Sequence, residues 1–136
     1  MCQSLPTPFQ LSGATRIDET PTQIAVREAL VNACVHSNYA ENGSILIQRN
    51  RNNIIFRNPG RMLISIEDFF AGGHIMCRNP ILQKMFMLIG YGEKAGSGAD
   101  YIVAGANEDK LNKPTIREVY SPDYIELTFS LDINQL

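Results

Sequence analysis

The spacing of apolar residues near the start of the chain predicts an α-helix. Such residues recur at helical spacing at Val26, Leu30, Val31, Cys34 and Val35. Thr20 suits the N-cap, Pro21 suits the first helical position, and Gln23 completes a Thr-x-x-Gln capping box. We therefore predict a helix that runs to about Ser37 and ends before the turn signal Asn42-Gly43.

Two runs rich in isoleucine, residues 44–49 and 53–57, predict a β-hairpin whose turn is formed by the polar residues 50–52. Asn58-Pro59-Gly60 ends the second strand, because proline cannot donate to a ladder and glycine tolerates a sharp turn. Residues 1–19 lack clear periodicity. We expect a loop there, with at most one short strand.

The long segment 61–95 combines weak and strong helix signals. We predict a weak helix near residues 65–70, a flexible Gly72-Gly73, and a strongly apolar helix over about residues 80–89. Another helical stretch is expected at about residues 97–107.

The chain closes with two strands around the turn Ser121-Pro122-Asp123. The last strand alternates, with Ile125, Leu127, Phe129 and Leu131 on one face and Tyr124, Glu126, Thr128 and Ser130 on the other. That pattern is typical of a sheet with one packed face and one solvated face. Together the elements predict an α+β fold, a two-layer sandwich of helices on a mostly antiparallel mixed sheet, forming a single domain over residues 1–136.

Composition and charge narrow the class of protein. The chain is 44% hydrophobic and 19% charged, with a formal net charge of −2, as in an ordinary soluble globular protein. It has no block of like charges, which argues against a nucleic-acid-binding surface on this chain. No apolar run approaches the roughly 20 residues needed to cross a bilayer, so we expect no membrane contact.

The cysteines and histidines predict a cytoplasmic protein and give no pattern typical of a zinc site. The three cysteines, Cys2, Cys34 and Cys77, have no short spacing that would pair them, and we expect reduced thiols in a cytoplasmic protein. His36 and His74 lack the companions that a zinc site needs.

Glu28 and Asn32 lie four residues apart on the predicted helix, so their side chains project to the same place. One interpretation is an exposed stripe with no function. The other is a metal–nucleotide site, in which Asn32 gives a carbonyl oxygen to Mg²⁺ and Glu28 acts as general base on a water.

The glycine-rich residues Gly96-Ser97-Gly98 stand at the start of a predicted helix, where backbone amides and the helix dipole favour an anion. Lys94 adds a positive charge nearby. A flexible connector explains the same residues without a ligand, just as a plain strand-ending turn explains Asn58 to Gly60.

The order "REALVNACVH", "NPG", "RNP", "EKAGSG" resembles the C-terminal ATPase-like module of bacterial transcriptional regulators. In those proteins the module follows a Schlafen- or AlbA-like DNA-binding domain, and they are often described as RecG-like helicase relatives. That module is similar to the GHKL ATPases, which include gyrase B subunits, MutL and histidine kinases. The resemblance spans about residues 16–104.

The resemblance implies ATP and Mg²⁺ as ligands and assigns roles to several residues. Glu28 matches the catalytic carboxylate and Asn32 the magnesium-binding asparagine. Asn58 and Gly60 fall at the adenine motif. The triphosphate motif then corresponds to Gly96, Ser97 and Gly98, with Lys94 beside it, and residues 61–95 correspond to the ATP lid.

This chain departs from the family pattern at three points. Asn58 stands where the adenine motif has aspartate, and Met62 replaces that motif's second glycine. The sequence His36-Ser37-Asn38-Tyr39 replaces His-Arg-Asp-Tyr after the helix. An asparagine can still accept a hydrogen bond from the adenine amine, but it lacks the charge.

Three functions follow from these patterns. The first is an ATP-binding regulatory module of a transcriptional regulator with slow or no hydrolysis. The second is a degenerate module that no longer binds nucleotide and serves as a homodimerisation or interaction platform, through the apolar run at residues 81–89. The third is a true ATPase, weak and Mg-dependent, with Glu28 as its base. In all three, the chain is expected to be the C-terminal fragment of a longer regulator that contacts DNA only through an upstream domain.

Overall fold

A computed structural model of the protein describes residues 10–12, 15–17, 20–72, 76–91, 102 and 114–130. Within these ranges the chain forms six strands and three helices. In chain order they are β1 (Gln10–Ser12), β2 (Thr15–Ile17), α1 (Pro21–His36), β3 (Leu46–Arg49), β4 (Asn53–Pro59), α2 (Ile66–Ala71), α3 (Pro80–Leu88), β5 (Thr115–Val119) and β6 (Tyr124–Ser130).

Four strands form an open sheet in the order β3-β4-β6-β5, and β1 pairs with β2 in a separate hairpin. Every pairing between the described strands is antiparallel. The central pair joins β4 to β6, with Phe56 opposite Leu127 and Ile54 opposite Phe129. Helices pack on this antiparallel sheet, which confirms the predicted α+β class.

Helix α1 begins where its capping signal predicts. The Gln23 backbone N–H donates to Thr20 Oγ1 at 3.3 Å, and the Thr20 N–H donates to Gln23 Oε1 at 3.1 Å. This reciprocal pair satisfies two donors that the first turn leaves open. The buried positions lie on every side of the helix, so α1 is covered on more than one face: Gln23, Ala25, Val26, Glu28, Ala29, Val31, Ala33 and Val35.

The core lies between α1 and the inner face of β4 and β6. Phe56 and Phe129 meet edge to face, with ring centroids 6.1 Å apart and planes at 85°, an arrangement that aromatic pairs favour. Ala25 and Ala29 face them from the helix. Because alanine has only a methyl group, the helix backbone can approach the sheet closely there.

The outer face of the sheet is less exposed to solvent than the alternation of apolar and polar residues along β6 predicts. Glu126 points outward on β6 but is only 4% exposed, because Arg57 on β4 and Arg117 on β5 bond its carboxylate from both sides. Burial opposes ionisation of this carboxylate. The two guanidinium groups outweigh that effect and hold the pKa of Glu126 below its ordinary value.

Several predicted boundaries shift slightly. The first 19 residues contain two short strands rather than at most one, and β4 continues through Pro59. The predicted helix at 97–107 lies outside the described residues except for Ile102, which is buried in the core. None of the helices in the described ranges has the length and apolar character needed to span a bilayer.

We expect Glu126→Gln to lower the free energy of unfolding by about 1–3 kcal/mol at neutral pH, because it removes two charge-assisted hydrogen bonds from a buried site. A depressed pKa makes this contribution fully present above the ordinary glutamate pKa, about 4.3, and lost as the pH falls through the folded-state pKa. Urea unfolding of both proteins between neutral and acid pH measures the difference.

Glu67→Gln on α2 is the matched control, since Glu67 is exposed, and we expect it to change stability by less than about 0.5 kcal/mol. A Glu126→Gln deficit that persists unchanged in strong acid would show that the arginine bonds do not cause it.

Candidate functional site

A cavity of about 130 Å³ lies between α1, the inner face of the sheet and residues 61–72 and 76–83. That volume is roughly ten times what one water molecule needs. The described residues lining it are mostly apolar: Ala29, Asn32, Ala33, His36, Phe56, Asn58, Arg61, Met62, Leu63, Ile64, Asp68, Phe69, Gly72, Met76, Cys77, Gln83, Ile116, Ile125 and Leu127. Such a chamber, apolar with a few polar groups, is typical of a small-ligand site.

Asn58 is the polar group at the sheet side of the cavity. It follows Ile54 and Phe56 at a spacing of two along β4, so its side chain points to the same inner face. It is 6% exposed, and its Nδ2 has no hydrogen-bond partner among the described residues. A buried amide without a partner is uncommon in proteins and indicates a group that a ligand or water satisfies.

Asn32 is the polar group at the helix side. It lines the cavity together with Ala29, Ala33 and His36, which share one face of α1 through their three- and four-residue spacing. Glu28 lies one turn earlier and is 5% exposed, but it is not among the described residues that line the cavity. The structure therefore brings Asn32 and Asn58 to one chamber, while the role of Glu28 as general base stays a prediction.

His36 adds a titratable group at the end of the α1 wall. Burial lowers the pKa of its imidazole, and the positive charge of Arg78 lowers it further. At neutral pH the ring is therefore neutral, with one nitrogen that donates and one that accepts.

The segment predicted as the lid forms the third wall. Arg61, Met62 and Leu63 leave the end of β4, and α2 and the residues before α3 complete the wall. Arg61 is held on the outside, where its Nε donates to Asp123 Oδ2 at 2.8 Å and its guanidinium lies 5.1 Å from the ring centre of Tyr120.

Asn79 ties this wall to α1. Its Nδ2 donates to the carbonyl oxygens of Val35 and Ser37, both at 2.7 Å. Those carbonyls lie at the C-terminus of α1, where a helix leaves acceptors without partners. Asn79 stands at the N-cap of α3 but makes no side-chain cap to α3. The "RNP" motif thus connects two helices through one amide.

Arg78 supports the same connection. Its Nη2 donates to the Arg61 carbonyl oxygen at 2.7 Å. Arg78 therefore attaches the third wall to the residues that follow β4. Its neighbour Asn79 attaches the same wall to the end of α1.

Gly60 has a structural reason to be glycine. Its φ of +111° is one that side chains with a Cβ rarely adopt, and an added Cβ would lie 2.9 Å from the Asn38 Cβ. Its N–H donates to the Asp123 carbonyl oxygen at 2.9 Å. Gly60 does not line the cavity, and its predicted role in nucleotide binding remains a prediction.

The remaining predicted binding residues, Lys94, Gly96, Ser97 and Gly98, lie outside the described residues. Within the described ranges, no group of three or more His, Cys, Asp or Glu side chains could hold a metal by itself. Magnesium at Asn32 would therefore depend on waters and on the phosphates of a nucleotide, a mode that this ion commonly uses.

Sequence patterns did not reveal most of the lining. Ile116 and Ile125 were predicted only as strand residues. Asp68 and Cys77 lie in a segment with weak periodicity, and only their positions in the folded chain bring them to the cavity.

Comparison with known proteins identifies the family. A family model described as "Putative ATP-dependent DNA helicase recG C-terminal" matches residues 42–129, which is more than half of the chain. The chain belongs to this family. This ATPase-like domain match includes Asn58 and Gly60 but begins after α1, so it does not include Glu28 or Asn32.

A solved structure is similar to this ATPase-like domain over a larger part of the chain. The crystal structure of the DIP2311 protein from Corynebacterium diphtheriae has a TM-score of 0.70 and 26% sequence identity. The similarity covers 80% of this chain and 23% of that one, so the chain spans less than a quarter of that relative. No curated protein matches the chain.

We expect Asn79→Ala to destabilise the domain by about 1–3 kcal/mol, because it leaves two carbonyls at the end of α1 without their partner. Thermal or urea unfolding measures this. Asn79→Asp is the sharper variant, since aspartate has nearly the same shape but its carboxylate cannot donate to the two carbonyls. It should destabilise the domain at least as much as Asn79→Ala. Wild-type stability of Asn79→Asp would show that the two bonds to α1 contribute nothing measurable.

Proposed function

We propose that this ATPase-like domain binds ATP with Mg²⁺ in the cavity between α1, the sheet and residues 61–72 and 76–83. The observation that carries the proposal is the buried Asn58 amide in an otherwise apolar part of the cavity, with no partner for its Nδ2 among the described residues. A purine base offers the flat apolar faces and the polar edge that such an environment would complement.

Asn32 supports the metal end of the proposal. Its carboxamide oxygen is a ligand type that Mg²⁺ accepts, and it lines the same cavity from the opposite wall. Lys94 and the glycines Gly96 and Gly98 are proposed to hold the phosphates, as the resemblance to GHKL ATPases implies. His36, neutral at neutral pH, adds no charge that would compete with the metal.

Slow or absent hydrolysis is part of the proposal. Glu28, the proposed general base, is buried and lies outside the described lining of the cavity. A base must come within hydrogen-bond reach of the water that it activates. Binding without efficient turnover suits a regulatory module, whose output is a change of shape.

The regulatory role is proposed for a longer protein. The relative of known structure is about four times as long as the matched region, since the similarity covers 23% of that chain. We propose that a DNA-binding domain elsewhere in such a protein contacts DNA, and that nucleotide in the ATPase-like domain controls it. The net charge of −2 on this chain agrees with that division of tasks.

We expect calorimetry with Mg²⁺ and a non-hydrolysable ATP analogue to detect binding by the wild-type chain. Asn58→Ala should weaken it about tenfold or more, because a buried hydrogen bond to the base is lost. Asn52→Ala in the exposed hairpin turn is the control and should bind as the wild type does. Absence of heat at millimolar nucleotide would reject the proposal.

A second candidate function is self-association through α3. Its exposed face carries a row of large apolar side chains, of which Ile81 is 76% and Leu88 86% exposed, with Met85 between them and Ile89 after them. Lys84 is the single charged residue of the helix. A second copy of this chain could therefore cover the row while burying little charge. Exposed apolar patches of this kind commonly mark interaction sites.

If α3 mediates self-association, sedimentation velocity at high protein concentration should show a dimer, and Leu88→Glu should return it to a monomer. Leu46→Glu on the edge strand β3 is the matched control, because Leu46 is also exposed but lies away from α3. A wild-type monomer at all concentrations, with and without nucleotide, would remove this candidate.

A further inference from the structure

Among the described residues, no side chain fixes the orientation of the Asn58 carboxamide through its Nδ2. Its nearest lining neighbours on the sheet are Phe56, Ile125 and Leu127, which have no side-chain group that could bond an amide. No described residue accepts a hydrogen bond from Nδ2. A bound ligand can therefore determine which way the amide faces.

A carboxamide presents a donor and an acceptor side by side, and a half-turn about its terminal bond exchanges the two. Adenine offers an amino donor at position 6, and its ring nitrogen N1 beside it accepts. A 6-oxopurine offers the reverse, a carbonyl acceptor at position 6 and a donating N1–H. The same asparagine can pair with either edge by turning its amide.

We propose that Asn58 lets the cavity accept 6-aminopurine and 6-oxopurine nucleotides with similar affinity. This inference rests on the proposed nucleotide binding and deepens it, since it assigns Asn58 as the residue that determines base selectivity. On the wall that follows β4, Arg61 is engaged by Asp123, and Met62 and Leu63 are apolar.

A carboxylate at the same position behaves differently. It only accepts hydrogen bonds when ionised, so it pairs with the 6-amino group of adenine or with the N1–H of a 6-oxopurine, and in each case its second oxygen faces another acceptor. A buried site that leaves a polar group facing the wrong partner binds that ligand weakly. Asn58→Asp should therefore weaken the binding of both kinds of purine.

The experiment compares ATP with inosine triphosphate, each with Mg²⁺, by calorimetry on the full chain. For the wild type we expect dissociation constants that agree within about threefold. For Asn58→Asp, measured near pH 8 so that a carboxylate with a burial-raised pKa is ionised, we expect both nucleotides to bind about tenfold or more weakly than they bind to the wild type. Asn52→Asp adds the same charge on the exposed hairpin turn and should leave both wild-type dissociation constants unchanged.

The outcomes separate this inference from the function on which it rests. If neither nucleotide binds to the wild type, nucleotide binding itself is rejected, and the selectivity falls with it. If ATP binds to the wild type about tenfold or more tightly than inosine triphosphate, nucleotide binding stands and the role of Asn58 is rejected. The same holds if Asn58→Asp binds both nucleotides as tightly as the wild type does. The wild-type ratio alone suffices where the variant fails to fold.

Discussion

The close contact between α1 and β4 is the interaction on which the rest of the structure depends. Ala25 and Ala29 face Ile54 and Phe56 across it, and the small alanines let the two backbones approach. The cavity lies at one end of this contact, where Asn32 follows Ala29 along the helix and Asn58 follows Phe56 along the strand. On each element, a row of apolar residues is followed by an asparagine, Asn32 on α1 and Asn58 on β4. Because α1 packs against β4, both carboxamides line the same cavity.

Features set by neighbouring residues could be predicted from the sequence. The Thr20 capping box, the hairpin of β3 and β4 and the turn at Ser121 each depend on a few adjacent positions. Their chemistry therefore shows in the sequence itself. The inward direction of Asn58 could also be predicted, since strand side chains alternate. Its burial could not, because that depends on distant residues, within 61–72 and 76–83, that line the same cavity.

Contacts between residues far apart in the chain could not be predicted from the sequence. Glu126 was predicted on a solvated face, yet Arg57, 69 positions earlier, and Arg117 on the neighbouring strand cover it. Nothing in the alternation of β6 indicates that two arginines converge there.

The opposite holds for the phosphate end of the proposed site, which is clearer in the sequence than in the structure. The sequence motif is clear at Gly96 to Gly98, but it lies outside the residues that the structure describes.

Asn79 has only two amide hydrogens, and both are engaged at the C-terminus of α1. A displacement that carries Asn79 away from α1 would therefore leave two carbonyl oxygens without their protein donor at once. The orientation of α3 and the exposure of the last turn of α1 are thus coupled through a single side chain.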